Sequence, residues 1–566
     1  MKKLINDPRL VVREMLEGTV DLAPDLALLR NENVVILRNV ASPEQRPVAV
    51  ISGGGAGHEP AHAGYVGDGM LSAAVVGDVF TSPSTDAVLA AIRAVAGPAG
   101  AVLVVKNYTG DRLNFGLAAE LARQEDIPTE IVVVADDVAL RDLVPSERRR
   151  GIAGTVLVHK LAGAAARAGQ PLQAVADIAR RAAADIGSMG VGLGSCTVPA
   201  AGKPGFSLGE TEIELGLGIH GEKGIERVGI KPANDIVDAL LAALLAELNL
   251  PSGARLGVLI NGLGATTQME LAIVARHALA GLRERGFSIG RAWSGNYMTA
   301  LEMPGCSISL LPLDDERDAL LDAPTRAAAW TSGGLVAPER ALVEGDAAPP
   351  EPSAQPPGPL SEAMRMAVQA IAVALRATED HLTDLDSRAG DGDLGASMAR
   401  GAQAMDALPA PAFASPHSLA VALGNSLRRA IAGSSGPFYA TALMRAGAVL
   451  KDRPTPTQSE WLQAFSAAIA AIGELGGARP GDRTMLDALH PALDAWKQAI
   501  EDGATGKAAL KAAADAAESG ASATAGLKPM LGRASYMGDR TLGVPDGGAV
   551  AVSIWLGALS RAIGEK

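Results

Sequence analysis

The chain has 566 residues, enough for roughly two to four domains, and a net charge of −13 that argues against a nucleic-acid-binding role, which needs a basic footprint. Apolar residues are plentiful and aromatics scarce, so the cores must be built from Ala, Val, Leu and Ile. Cys196 and Cys306 form neither a disulfide framework nor a zinc motif, no signal-like apolar segment follows Met1, and no uninterrupted apolar run reaches membrane-spanning length. The sequence therefore reads as that of a soluble cytoplasmic protein.

Residues 1 to 190 alternate short β-branched runs with Ala/Leu-rich helical sequence. Val48–Ile51, Ala101–Val105 and Ile131–Val134 are predicted strands, and their order implies parallel pairing with crossover helices. Ligands gather at the carboxyl ends of such strands. The first strand runs into a predicted glycine loop, Ser52-Gly53-Gly54-Gly55-Ala56-Gly57-His58-Glu59-Pro60, whose spacing is neither a dinucleotide fingerprint nor a Walker loop. The second ends in Lys106-Asn107-Tyr108-Thr109-Gly110-Asp111, so Lys106 and Asp111 are expected at the same sheet edge as His58.

Residues 191 to 340 read as a second α/β unit, with strands predicted at Arg255–Ile260 and Ser307–Leu311. His220 stands in Gly216-Leu217-Gly218-Ile219-His220-Gly221-Glu222, between glycines and without bulky neighbours in sequence, so a ring nitrogen is expected to face whatever binds there. Imidazole nitrogen is a competent nucleophile at neutral pH. A Pro-rich spacer, 341 to 359, follows.

From 360 to 566 the pattern is helical. Met364, Val368, Ile371 and Leu375 recur on one helical face, with Ser361 the expected N-cap. Polar and glycine-rich interruptions punctuate the helices. In the first, Leu385 to Gly395, three carboxylates lie within eight residues. On a continuous helix Asp386 and Asp393 would be roughly 10 Å apart along the axis, too far to share an ion. The interleaved glycines let the backbone fold back so that Asp386, Asp391 and Asp393 converge. Such hard oxygen ligands suit Mg²⁺, whereas the twelve-residue calcium loop ending in Glu is absent. The other interruptions are Ala432 to Pro437, a small-residue turn able to offer N–H and hydroxyl groups to phosphate, then Gly476 to Met485 and Gly532 to Gly548.

Together these motifs resemble the single-chain, ATP-dependent dihydroxyacetone kinases over nearly the whole chain. The resemblance implies an α/β plus all-α fold. Two α/β subdomains form the substrate domain, and a barrel of eight antiparallel helices forms the nucleotide domain. It implies that His220 adds to the substrate ketone as a covalent hemiaminal, which glycerol cannot form. His58 and Asp111 become hydrogen-bond partners and general-base candidates, and Gly53, Gly54, Gly55, Ala56, Gly57 and Lys106 become ketose contacts. Asp386, Asp391 and Asp393 would hold two Mg²⁺ ions bridging the ATP phosphates. Leu394, Gly395, Ala396, Ser397, Ser434, Ser435, Gly476, Met485, Arg533, Asp546, Gly547 and Gly548 would contact the nucleotide. Relatives usually dimerise, so a homodimer is expected, with no membrane or nucleic-acid partner.

The chain departs from the family pattern at two points. Leu394 stands where many relatives carry Thr or His, and Asp546-Gly547-Gly548 replaces Asp-Pro-Gly. Rival readings are a kinase for erythrulose, an FAD-AMP lyase activity in the helical domain, and a non-catalytic ketone sensor. The last is disfavoured by His220 and the three aspartates on one chain, because a sensor has no use for its own metal–ATP site.

Overall fold

The computed structural model describes residues 2–331, 333–345 and 356–564. Two compact units divide between Val343 and Glu344. Residues 346–355 of the expected spacer lie outside the described residues.

The first unit opens with helix α1 (Val11–Asp21) and holds two six-stranded sheets. The first sheet comprises β1 (Leu26–Leu28), β2 (Val34–Leu37), β3 (Ala49–Ala56), β4 (Ala73–Val79), β5 (Ala101–Lys106) and β6 (Thr129–Val134), in the order β1-β2-β4-β3-β5-β6. β4, β3, β5 and β6 run parallel, as the alternating pattern requires, while β1 and β2 add an antiparallel hairpin at the edge. Helices α2 (Thr85–Val95) and α3 (Thr109–Gln124) pack on one face through Val88, Ile92 and Phe115. Helices α4 (Thr155–Arg167) and α5 (Leu172–Asp185) cover the other through Leu157, Leu161 and Val175. Each such fully buried aliphatic or Phe side chain contributes about 1.5–3 kcal/mol.

The second sheet holds β7 (Gly187–Gly192), β8 (Glu212–Leu215), β9 (Glu226–Gly229), β10 (Arg255–Gly262), β11 (Ser288–Gly295) and β12 (Gly305–Pro312), in the order β11-β10-β12-β7-β8-β9. Only β10 and β11 are parallel. Helices α6 (Ala233–Leu248) and α7 (Gln268–Glu284) pack on it, and α8 (Asp315–Asp322) contacts α4. Residue 190 falls inside β7.

Two local expectations are corrected here. The glycine run after Ile51 is not a loop: β3 continues through Gly53, Gly54 and Gly55 to Ala56, fully buried and paired with β4. The chain then winds through a short 3₁₀ turn, Ala63–Tyr65, into β4, so the first helix after β3 arrives only after a second strand.

The second unit consists of α9 (Ser361–Ala377), α10 (Glu379–Ala389), α11 (Leu394–Asp406), α12 (Pro416–Ala430), α13 (Ser435–Val449), α14 (Gln458–Gly476), α15 (Leu486–Glu501), α16 (Gly506–Ala523) and α17 (Gly547–Gly564). Helices α11 to α17 pack each against the next, and α9 closes the ring between α17 and α11, giving an eight-helix barrel with α10 outside it. Met364, Val368 and Leu375 are buried as the periodicity requires. Ser361 is not the N-cap: Leu360 is, and the Ser361 hydroxyl instead donates to the Phe413 carbonyl at 2.7 Å. The barrel encloses an apolar cavity of about 670 Å³ lined by residues such as Ile371, Leu427 and Trp555. Among the described residues α17 is long and apolar enough to cross a membrane by length and composition alone, with mean hydropathy 1.3 over 18 residues, although Ser553, Ser560 and Arg561 interrupt the run as the sequence reading requires. Its apolar character follows from its place as a stave, with Val552 and Leu556 buried against the neighbouring helices.

Candidate active site

His58 follows β3, and His220 lies in the turn between β8 and β9. The two rings meet with their Nε2 atoms 3.1 Å apart, although 162 residues separate them. His58 Nδ1 lies 2.7 Å from the Thr299 carbonyl, which can only accept, so Nδ1 carries a proton. His220 Nδ1 likewise faces Glu222 Oε1 at 2.8 Å, and the His220 backbone N–H donates to Oε2 at 2.9 Å. Burial pushes the Glu222 carboxyl up, but the His220 ring and backbone donors outweigh it and hold it at about 2, so it is a carboxylate at neutral pH. Both Nε2 atoms are thus left facing each other. Two lone pairs at that distance repel, so a single proton sits between them. Burial, then the charges of His220 and Lys106, hold His58 well below the ordinary imidazole range. His58 therefore holds the shared proton poorly.

His220 is not open, as its glycine neighbours implied. Tyr108 and Phe80 meet its ring edge-on at centroid distances of 4.6 and 5.1 Å, and Phe80 also stacks on His58. Its covering comes from distant segments. Phe80 and Leu301 both adopt left-handed backbone, with φ 59° and 56°, and close over Gly57. Bulky residues in that region are strained, and such strain concentrates at functional sites. Arg150 anchors the His220 turn from below: its guanidinium donates to Asp137 at 2.7 Å and to the Gly216 carbonyl at 2.7 Å. Gly218 permits this approach, since a Cβ there would lie 2.5 Å from Arg150 Nη1 and 2.0 Å from Glu222 Oε2.

Lys106, the last residue of β5, and Asp111, in the first turn of α3, are both buried and both face Gly54. A Cβ on Gly54 would lie 2.3 Å from Lys106 Nζ and 3.5 Å from Asp111 Oδ2. Asp111 Oδ1 is buried without a hydrogen-bond partner, as is the Tyr108 hydroxyl. Buried polar atoms are nearly always paired, so both are free to meet a ligand hydroxyl. The expected set His58, His220, Lys106, Asp111 and Gly53 to Gly57 thus lies at adjoining strand ends and turns. Glu222, Phe80, Tyr108, Thr299 and Arg150 were not read from sequence. Only Glu222 left a local signal, two residues after His220.

In the helical unit, Asp386 lies in the last turn of α10, and Asp391 and Asp393 lie in the turn before α11. Each offers one oxygen, and these oxygens lie within 4.8 Å of one another. Asp386 Oδ2 accepts from the backbone N–H of Asp393 at 2.9 Å and of Leu394 at 3.2 Å, which folds the turn back on itself. Gly392, at φ +78°, makes the reversal possible. Three converging carboxylates at a solvent-facing turn are a donor set that fits Mg²⁺ with room for phosphate oxygens.

Leu394, Gly395, Ala396 and Ser397 form the first turn of α11, and the buried Ser397 hydroxyl accepts from Arg400 at 2.8 Å. The Asp546-Gly547-Gly548 turn joins this cluster: a Cβ on Gly547 would lie 2.6 Å from the Leu394 side chain, and one on Gly548 3.8 Å from that of Met485. Asp546 caps α17 by accepting from the Ala549 N–H at 2.8 Å, and burial pushes its carboxyl up to about 6. Ser434 and Ser435 open α13, and Gly476 ends α14, packed against Phe438. Arg533 opens a short 3₁₀ turn, and its side chain lies outside the described residues.

Comparison with known proteins agrees with this architecture. Residues 17–329 match the Dak1 domain model and residues 388–561 the DAK2 domain model. Human triokinase/FMN cyclase is 42% identical over 575 residues, covering 99% of this chain and 98% of its own length. D-erythrulose kinase of Mycolicibacterium smegmatis is 36% identical, covering 98% and 97%. The crystal structure of the dihydroxyacetone kinase from C. freundii in complex with AMP-PNP and Mg²⁺ is 35% identical, covers 99% of each chain and superposes with a TM-score of 0.63. The chain belongs to the single-chain dihydroxyacetone kinase family.

Proposed function

We propose that this protein transfers the γ-phosphoryl group of ATP to dihydroxyacetone or a closely related short ketose, held covalently on His220. The observation that carries this reading is the Nε2-to-Nε2 contact of His58 and His220. Moving the one shared proton from His220 to His58 frees the His220 Nε2 lone pair to bond the ketone carbon. The carbonyl π electrons pass to oxygen, which takes the proton back from His58, giving a hemiaminal. Glu222 offsets the positive charge the His220 ring acquires. His58, now neutral at Nε2, and Asp111, with its unpartnered Oδ1, are positioned to accept the proton of the attacking hydroxyl. Lys106 and the Gly53 to Gly57 strand end hold the ketose.

ATP belongs to the helical unit. The α11 first turn, Met485 and the Asp546 to Gly548 turn would receive the nucleotide, with Ser434, Ser435, Gly476 and Arg533 assigned by family pattern. Mg²⁺ bound at Asp386, Asp391 and Asp393 supplies neutralisation of phosphate charge. We further read the enzyme as a cytoplasmic homodimer. The free, buried Cys196 and Cys306 fit a reducing compartment, and light scattering tests the dimer.

A coupled assay over a ketose panel tests the function: ATP turnover should depend on dihydroxyacetone or erythrulose and fail with glycerol. His220→Ala should lose the ketose adduct mass, and an unchanged adduct would overturn its role. The human relative's second name, FMN cyclase, favours a parallel assay with FAD and Mn²⁺ for cyclic FMN.

A further inference from the structure

Behind Lys106 lies a buried polar chain that the chemistry above does not use. Ser52, His159 and Lys106 are fully buried and His62 is 2% exposed. The Ser52 hydroxyl donates to the Val104 carbonyl at 2.7 Å, so its oxygen is left to accept. Two rings approach it, His159 through Nε2 at 3.0 Å and His62 through Nδ1 at 3.4 Å. Each must donate, which puts the His62 proton on Nδ1 and leaves Nε2 as a lone pair. That lone pair lies 2.8 Å from Lys106 Nζ. Burial and the Lys106 charge keep both rings neutral, with His159 pushed down to about 3.

An ammonium carries three N–H groups. His62 takes one, and the Gly53 carbonyl is a long contact for a second at 3.4 Å. The third is left on the side of Gly54. A lysine side chain loses rotamer freedom when it is fixed. Fixing it before substrate arrives removes that cost from binding. We propose that His62 is a positioning residue for the kinase reaction: its Nε2 lone pair holds the Lys106 ammonium over Gly54, and the Ser52–His159 pair behind it fixes the tautomer that allows this. The inference rests on the reading of Lys106 as a ketose contact.

Two variants separate positioning from mere core filling. The Gln Oε1 of His62→Gln can reach the place of Nε2, whereas the Asn Oδ1 of His62→Asn reaches only that of Nδ1. With saturating Mg-ATP, His62→Asn should raise KM for the ketose at least about tenfold, the loss expected for one hydrogen bond to a charged group. Its kcat should hold, because the contact serves ground and transition states alike. His62→Gln should restore KM to within about threefold of the parent. Equal KM values for the two variants would overturn the proposal. Nitrogen NMR of histidine-labelled parent protein gives a readout that needs no variant: His62 should be neutral and protonated at Nδ1, and a proton on Nε2 would overturn the proposal. Failure of the parent to form any ketose adduct would instead sink the covalent reading, leaving the His62–Lys106 geometry to be judged by the NMR result.

Discussion

Glu222 decides which proton His220 can lose. Its carboxylate accepts from Nδ1 at 2.8 Å, which leaves Nε2 as the nitrogen that would bond the ketose on the proposed reading, with the carboxylate charge offsetting that of the alkylated ring. Glu222→Gln keeps an acceptor but removes that charge. We expect kcat/KM for the ketose to fall about 10- to 100-fold, the range for a charge-assisted hydrogen bond, with adduct formation in mass spectra needing correspondingly more ketose. A second residue-scale prediction concerns Asp546, whose carboxyl burial raises from the ordinary 3.8 to about 6. A raised carboxyl contributes stability that is full below its unfolded pKa and is lost as pH rises through the folded one. The charged form is therefore a burden at neutral pH. Asp546→Asn should raise the melting temperature of the helical unit by roughly 2–4 °C near pH 7.5, shrinking as pH falls below about 6, while weakening ATP binding. Scanning calorimetry at two pH values checks it; a gain that grows on acidification would refute the burial account.

At the scale of elements, β3 suits the proposed ketose site because Gly54 has no side chain where Lys106 lies. Gly54→Ala would add a methyl 2.3 Å from Lys106 Nζ at a backbone φ of +155°. The ammonium would have to move off the strand end. We expect ketose kcat/KM to drop more than about 100-fold while Mg-ATP binding, measured by titration calorimetry, stays at the parent value. The turn between α10 and α11 adds a second device: besides the glycine that permits its reversal, backbone donors gather its carboxylates. Two N–H groups of that turn bond Asp386 and bring it toward Asp391 and Asp393.

For the whole molecule, the division between Val343 and Glu344 separates distinct cores. Each unit has its own ligand chemistry, so each ligand should stabilise its own unit. Calorimetry of the full chain should resolve two transitions, one raised by ketose alone and the other by Mg-ATP alone. Each gain should approach about 2.7 kcal/mol at a hundredfold excess over Kd. A single transition raised equally by either ligand would count against two independent units.

Much of this protein is written locally. Strands of β-branched residues, helical periodicity and the interleaved aspartates and glycines each follow from neighbours a few residues away, and the sequence located them. Ala49–Ile51 of the predicted Val48–Ile51, together with Ala101–Val105 and Arg255–Ile260, lie within β3, β5 and β10 for that reason. What failed was whatever depended on a distant partner. The glycine run became strand because β4 and β5 flank it, and Ser361 gave up its cap because Phe413 offered a carbonyl. The site divides the same way. Amino-acid order alone determined that His58, His220, Lys106 and three aspartates were available for carbonyl and phosphate chemistry. Only the tertiary structure decided that two imidazoles would meet through their Nε2 atoms under Phe80 and Tyr108, because hydrogen bonds and ring contacts form between segments that no sequence spacing connects.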